Sequence, residues 1–227
     1  MSGILYGVGV GPGDPKLMTF LAAETIQKCT VLAIPAGSRE QAVSYRIAGG
    51  MIEHLEEKET MCFVTPMTKD KEILEHHYQA VAEQIAERLE QGKDVAYLTL
   101  GDPTVYSTYI YVHRLLVKRG YQAQIINGVP SFCAAAATLG DSLADRGEQI
   151  HIIPSSYDVE QALELPGTKI LMKAGSKMPA VKKMLQDRGI DGVMVENCGM
   201  AEERIYRSIE EIPDQVGYYC LTVLKEQ

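Results

Sequence analysis

Two turns built from glycine, proline and aspartate, each closing an apolar run, constrain this chain more than any other feature. The first, Gly9-Val10-Gly11-Pro12-Gly13-Asp14-Pro15, follows an apolar stretch near the N-terminus. The second, Gly101-Asp102-Pro103, follows Tyr97-Leu98-Thr99-Leu100 and leads into Thr104-Val105-Tyr106-Ser107-Thr108. An apolar run stopped in this way reads as a strand, a tight turn and the start of a helix. Gly101 lets backbone come close, Asp102 can accept hydrogen bonds or cap the helix, and Pro103 suits a first helical position. In open α/β sheets such strand ends are where ligands gather. Two of them point to an enzyme with a small-molecule cofactor.

The hydrophobic pattern places these turns in an alternating fold. Strands are expected at residues 4–10, 31–34, 60–65, 95–100 and 124–126, with helices at 17–28, 42–51, 73–91 and 105–118. That alternation implies a mostly parallel sheet. Beyond Asn127-Gly128-Val129-Pro130 the order changes: a small-residue helix at 131–139, strands at 149–153, 168–172, 192–196 and 218–224, and one helix at 180–188. The expectation is an α/β protein of two α/β domains, residues 1–126 and 127–227.

Several functions are disfavoured. A net charge of −8 argues against general nucleic-acid binding. No apolar run reaches membrane-span length and no basic segment precedes an apolar one at the N-terminus, so a cytoplasmic protein without a membrane partner is expected. The cysteines are five, with no C-x-x-C pair, which is unlike a disulfide framework or a zinc site. Cys29, Cys133 and Cys220 sit among apolar or small residues and are read as core thiols. Adjacent His76 and His77 point apart on a helix, so no metal site is expected. A dinucleotide loop needs glycines at i, i+2 and i+5, but from Gly7 the third position is Pro12 and from Gly9 it is Asp14. No phosphate-binding G-x-x-x-x-G-K-[ST] loop occurs, and Pro12 lacks a donor a phosphate would use.

The motifs together resemble those of the tetrapyrrole methylases, which transfer methyl groups from S-adenosylmethionine. The resemblance spans nearly the whole chain. It rests on residues 8–19, on Gly101-Asp102-Pro103, on Gly128-Val129-Pro130-Ser131-Phe132 and on Val195-Glu196-Asn197. Within the family the chain is most similar to the precorrin-2 and cobalt-factor II C-20 methyltransferases of cobalamin synthesis, through residues 63–70, Tyr106-Ser107-Thr108-Tyr109, residues 131–136 and residues 218–224. The resemblance implies a tetrapyrrole methylase-like fold with a cofactor cleft between the two domains, in a homodimer. It implies that Leu100, Gly101, Asp102 and Val105 line the S-adenosylmethionine, that Tyr106, Pro130, Ser131 and Met172 lie near it with Met200 and Ala201, and that Pro12 belongs to the opening loop. One departure stands out: the family usually has Pro-Gly where this chain has Asn127-Gly128, and a small hydroxyl residue at the place of Pro130.

The donor's sulfonium activates the methyl group, and a meso carbon of an electron-rich macrocycle can attack without a strong protein base. Holding carbon, methyl and sulfur in line and excluding water is then the protein's main task. This agrees with the absence of a triad or carboxylate dyad. Tyr106, Glu196 and Asp102 are open as proton acceptors, each with a structural alternative, and no catalytic residue is assigned. An anionic tetrapyrrole needs local cations despite the acidic average. Arg39, Arg46, Lys69, Lys173, Lys177 and Arg204 are the expected substrate-binding members as a group; each alone reads first as an ordinary solvated surface charge.

Overall fold

The computed structural model describes residues 2–154 and 159–225. The chain divides into two compact units, Met1–Pro130 and Ser131–Gln227, so Asn127–Pro130 groups with the first.

The first unit holds five parallel strands: β1 (Leu5–Gly9), β2 (Val31–Ile34), β3 (Glu59–Cys62), β4 (Val95–Thr99) and β5 (Ala123–Ile126), in the order β3-β2-β4-β1-β5. Four helices connect them: α1 (Phe20–Lys28), α2 (Val43–Gly49), α3 (Lys71–Glu90) and α4 (Tyr109–Lys118). Both sheet faces are covered, as a parallel sheet requires. Alternate residues of β2 and β4 face opposite ways. Val31, Ala33, Val95 and Tyr97 pack with α3 and α4, while Leu32, Ile34, Ala96 and Leu98 pack with α1 and α2. The α3 stripe, Tyr78, Val81, Ala82, Ile85, Ala86 and Leu89, recurs at helical spacing and explains why this helix alone runs five turns. β4 therefore lies between β2 and β1, whose helices cover one face, while its own helix covers the other.

The second unit carries α5 (Ser131–Leu139), β6 (Ile150–Pro154), α6 (Val159–Leu163), β7 (Thr168–Met172), α7 (Met178–Asp187), β8 (Val193–Glu196), β9 (Arg204–Tyr206) and β10 (Cys220–Leu224). Its sheet order is β6-β7-β10-β8-β9. Among the described residues of this unit only β6 and β7 pair in parallel; β10 runs antiparallel to both β7 and β8, and β9 to β8. The buried Ala134-Ala135-Ala136 stretch lets α5 approach β10 closely.

Three expectations need correction. The helix after Gly-Asp-Pro begins at Tyr109, not at residue 105, because Asp102 accepts a hydrogen bond from the Thr104 N–H at 2.7 Å and folds the chain back, and Tyr106 has a left-handed φ of 48°. The helix near the N-terminus begins at Phe20, because Thr19 caps it by accepting from the Ala22 N–H at 3.1 Å; Pro15–Leu17 is a separate 3-10 turn capped by Asp14. Cys133 is exposed on α5, whereas Cys29 and Cys220 are buried as expected. The Cys133 thiol lies on the side of α5 away from the buried alanines.

One buried hydroxyl has no partner among the described residues. Thr222 is 1 % exposed, registers with Leu171 and Met194 of the neighbouring strands, and its Oγ1 meets no donor or acceptor. An orphaned polar atom in an apolar core is destabilising. Thr222→Val, close in shape, is expected to raise stability by about 1 kcal/mol, seen as a higher urea midpoint at unchanged slope.

Candidate functional site

The carboxyl ends of β1, β4 and β5 meet through glycines. Gly11 and Gly101 form an isolated antiparallel bridge, with the Gly101 N–H donating to the Gly11 carbonyl at 2.8 Å and the Gly11 N–H to the Gly101 carbonyl at 3.3 Å. Both are left-handed, at φ 80° and 70°. A Cβ on Gly128 would stand 2.2 Å from the Gly101 oxygen, and one on Gly9 would stand 2.6 Å from it. Main chain packs on main chain here, and only glycine allows it.

Asp102 ties the same loops together. It is 5 % exposed. One carboxylate oxygen accepts from the Thr104 N–H at 2.7 Å and the Thr104 hydroxyl at 2.5 Å. The other accepts from the Asn127 amide at 3.1 Å and the Gly128 N–H at 3.0 Å. Four donors fill the lone-pair sites of a carboxylate. Burial works against its charge, but the bonds from Thr104, Asn127 and Gly128 outweigh burial and hold the carboxyl below its usual value. So occupied, Asp102 is a strut between the β4 and β5 loops rather than a proton acceptor. The Asn127 side chain, at one of the two places where the sequence departs from the pattern it resembles, supplies one of the four bonds. Its carbonyl accepts from the Thr19 hydroxyl at 3.3 Å, which adds the start of α1 to the cluster.

The hydroxyl-rich segment after Pro103 lies back along β4. Ser107 Oγ is 3.3 Å from Thr99 Oγ1 and accepts from the Tyr109 N–H, the first of α4, at 3.2 Å. Around this frame Pro12 and Gly101 are buried, Leu100, Val105 and Pro130 are half-buried, and Tyr106 is exposed. Of the three cations expected in this unit, Arg39 donates to the carbonyls of Glu56 and Lys58 at 2.7 and 2.6 Å and stacks over Tyr45. Arg46 on α2 and Lys69 before α3 are exposed. The grouping of His54, Glu56 and Glu57 is fully exposed.

In the second unit the register brings Met172, Glu196, Arg204 and Cys220 to one end of the sheet. Lys173 follows β7, and the turn holding Met200 and Ala201 joins β8 to β9 at that same end. Glu196 is buried and accepts from the Gly217 N–H at 2.5 Å and the Tyr206 hydroxyl at 3.3 Å. Ser131 opens α5, and Lys177 lies in the 3-10 turn before α7. Sequence reasoning missed Tyr206 and Gly217 at this end, for which no local signal exists, and it read Tyr218–Tyr219 as the start of the last strand, whereas β10 begins at Cys220.

A family model for tetrapyrrole (corrin/porphyrin) methylases matches residues 4–213. The chain belongs to this family. As a member it is a methyltransferase that uses S-adenosylmethionine and acts on a tetrapyrrole carbon. It is 32% identical over 97% of its length to a probable cobalt-precorrin-2 C(20)-methyltransferase of Methanocaldococcus jannaschii, covering 95% of that protein. It is 28% identical over its whole length to the cobalt-precorrin-2 C(20)-methyltransferase of Salmonella typhimurium, covering 98% of it. The structure of a cobalt precorrin-4 methyltransferase superposes with a TM-score of 0.77 at 20% identity, covering 98% of this chain and 94% of that one. The uroporphyrin-III C-methyltransferase of Thermus thermophilus complexed with S-adenosyl homocysteine superposes at 0.69 and 21% identity, covering 99% and 98%. These last two likenesses establish the fold.

The Asp102 carboxylate holds these strand ends in place. Asp102→Asn would set an amide NH2 against the Asn127 or Thr104 donors, so a loss of about 2–4 kcal/mol is expected. The pH response follows from the lowered carboxyl: its stabilisation is present at neutral pH and is lost as pH falls below the unfolded value of about 3.9 toward the lower folded one. Melting curves at neutral pH and below about pH 4 check both points, because the asparagine variant should lack that part of the acid sensitivity.

Proposed function

We propose that this protein methylates C-20 of precorrin-2 or cobalt-factor II during cobalamin synthesis. The observation that carries the reading is the end-to-end match to C(20)-methyltransferases, at 32% and 28% identity. A precorrin-4 C(11)-methyltransferase of Mycobacterium tuberculosis matches over 82% of the chain at 26%. S-adenosylmethionine supplies the methyl group as a sulfonium, already activated toward a carbon nucleophile. Leu100, Gly101, Val105 and Tyr106, with Pro12 and Pro130, hold the cofactor largely through main-chain groups; Ser131, Met172, Met200 and Ala201 complete its surroundings. Asp102 positions these loops without touching the reacting atoms. Glu196 keeps unused acceptor capacity beside its bonds to Gly217 and Tyr206 and is the better of the two buried carboxylates to receive the C-20 proton.

The substrate is a tetrapyrrole rimmed with carboxylates. Arg46, Lys69, Lys173, Lys177 and Arg204 bind it, and Arg39 shapes the loop after β2 from its place on the Glu56 and Lys58 carbonyls. The working form is a cytoplasmic homodimer of two-domain subunits. Among the described residues no helix is long and apolar enough to cross a membrane.

Incubation with labelled S-adenosylmethionine and either precorrin-2 or cobalt-precorrin-2 is expected to give a product whose new methyl group maps to C-20 by NMR. Methylation at another carbon would reassign the position within the family. Charge reversal of the two exposed cations, Arg46→Glu with Lys69→Glu, is expected to raise KM about tenfold at low salt and less at high salt, since screening weakens such contacts. An unchanged KM would remove both from the substrate site.

A further inference from the structure

At one end of the second sheet the chain builds an aromatic and cationic surface of which the methylase reading uses only the cations. Tyr218 and Tyr219 precede β10 with their rings edge to face, centroids 5.3 Å apart at 83°. Both are exposed, Tyr218 by 53%. The Lys173 ammonium lies 5.6 Å from the Tyr218 ring centre. Lys173 has a left-handed φ of 60°, an arrangement a lysine holds only when its surroundings fix it. Asn197, at the matching place after β8, is also left-handed, at 53°. Beneath them the buried Glu196 takes the Gly217 N–H at 2.5 Å, and a Cβ on Gly217 would come within 2.9 Å of that carboxylate oxygen. The segment entering Tyr218 is thus hung from a buried carboxyl group rather than left as a loose loop.

We infer that Tyr218 and Lys173 form a docking platform for the macrocycle, with the Tyr218 ring against the flat face of the tetrapyrrole and the Lys173 ammonium on a peripheral carboxylate. The inference rests on the proposed function and adds to it the residues that recognise the substrate. The chemistry favours this occupant. An aromatic ring attracts a conjugated ring by offset stacking, and a cation held over that same aromatic ring favours a ligand that carries anions. Arg204, paired with Glu196 across β8 and β9 and exposed, adds a second cation at the same sheet end. Glu196 is the acidic group nearest the platform in the register, and its two bonds turn it toward Gly217 and Tyr206.

The test uses the whole protein with saturating S-adenosylmethionine and cobalt-precorrin-2 or precorrin-2 as the varied substrate. Tyr218→Ser is expected to raise KM roughly tenfold, the loss of one good aromatic contact, with kcat changed much less. Tyr218→Phe should stay near the parent, and Lys173→Gln should raise KM several-fold while flattening its dependence on salt. Binding of S-adenosylhomocysteine, measured by calorimetry, should be the same in all four proteins, which also shows that each variant is folded. Unchanged KM in both Tyr218→Ser and Lys173→Gln overturns the platform. Weakened S-adenosylhomocysteine binding in well-folded Tyr218→Ser overturns it too, because the ring would then serve the adenine. If the parent protein transfers no methyl group to either macrocycle, the proposed function fails separately. The platform is then judged by absorbance titration of metal-free precorrin-2, where equal affinity in parent and Tyr218→Ser rejects it.

Discussion

The buried carboxylate of Asp102 is the interaction on which the first unit's strand ends depend. An ion taken out of water is tolerable only when its lone pairs are met, and Thr104, Asn127 and Gly128 meet all of them. The bonds cross from the β4 loop to the β5 loop, while the Gly11–Gly101 bridge crosses from β1 to β4. Three loops far apart in sequence become one rigid piece. Stiff main chain of this kind can hold a bound molecule in a fixed geometry.

The two units solve the sheet problem differently. In the first, right-handed crossovers put α1 and α2 on one face and α3 and α4 on the other, and the connections part around β4. In the second, β10 runs between β7 and β8 in the opposite sense, so its entry, not its exit, shares an end with theirs. This reversal brings Tyr218 and Tyr219 beside Lys173 and Glu196, which a parallel strand would have left at the other end.

The central strands β1, β2 and β4 were readable in the sequence because each is a short apolar run closed by Gly or Pro and buried on both faces, whereas the edge strand β3, with the sequence Glu-Thr-Met-Cys, stops at Cys62 and not at residue 65 as its apolar continuation suggested. The glycine turns were readable for the same reason. The start of α4 was not. Val105 to Thr108 has helical spacing, but the Asx turn at Asp102 and the hydroxyl contacts of Ser107 with Thr99 are tertiary facts that override it. β9 went unread because three residues carry no period. Of the site, the main-chain frame was legible from Gly101 and Gly128. The role of Asp102 was legible only as an alternative to ligand binding, since nothing local shows that Asn127 and Gly128 donate to it. Cys133 misled because its small neighbours describe one face of α5 and the thiol points from the other.

The placement of β1 has a further consequence for how the chain is made. It emerges during synthesis well before the strands that take its two hydrogen-bonding edges, which begin at Val95 and Ala123. Until both have left the ribosome, Leu5–Gly9 is an apolar ribbon with two open sides. Such long-range closure is slow and leaves nascent chains prone to pairing with one another. The glycines at Gly7 and Gly9, poor strand formers, weaken that early stickiness, and they become useful packing only when Tyr109 and Gly128 arrive.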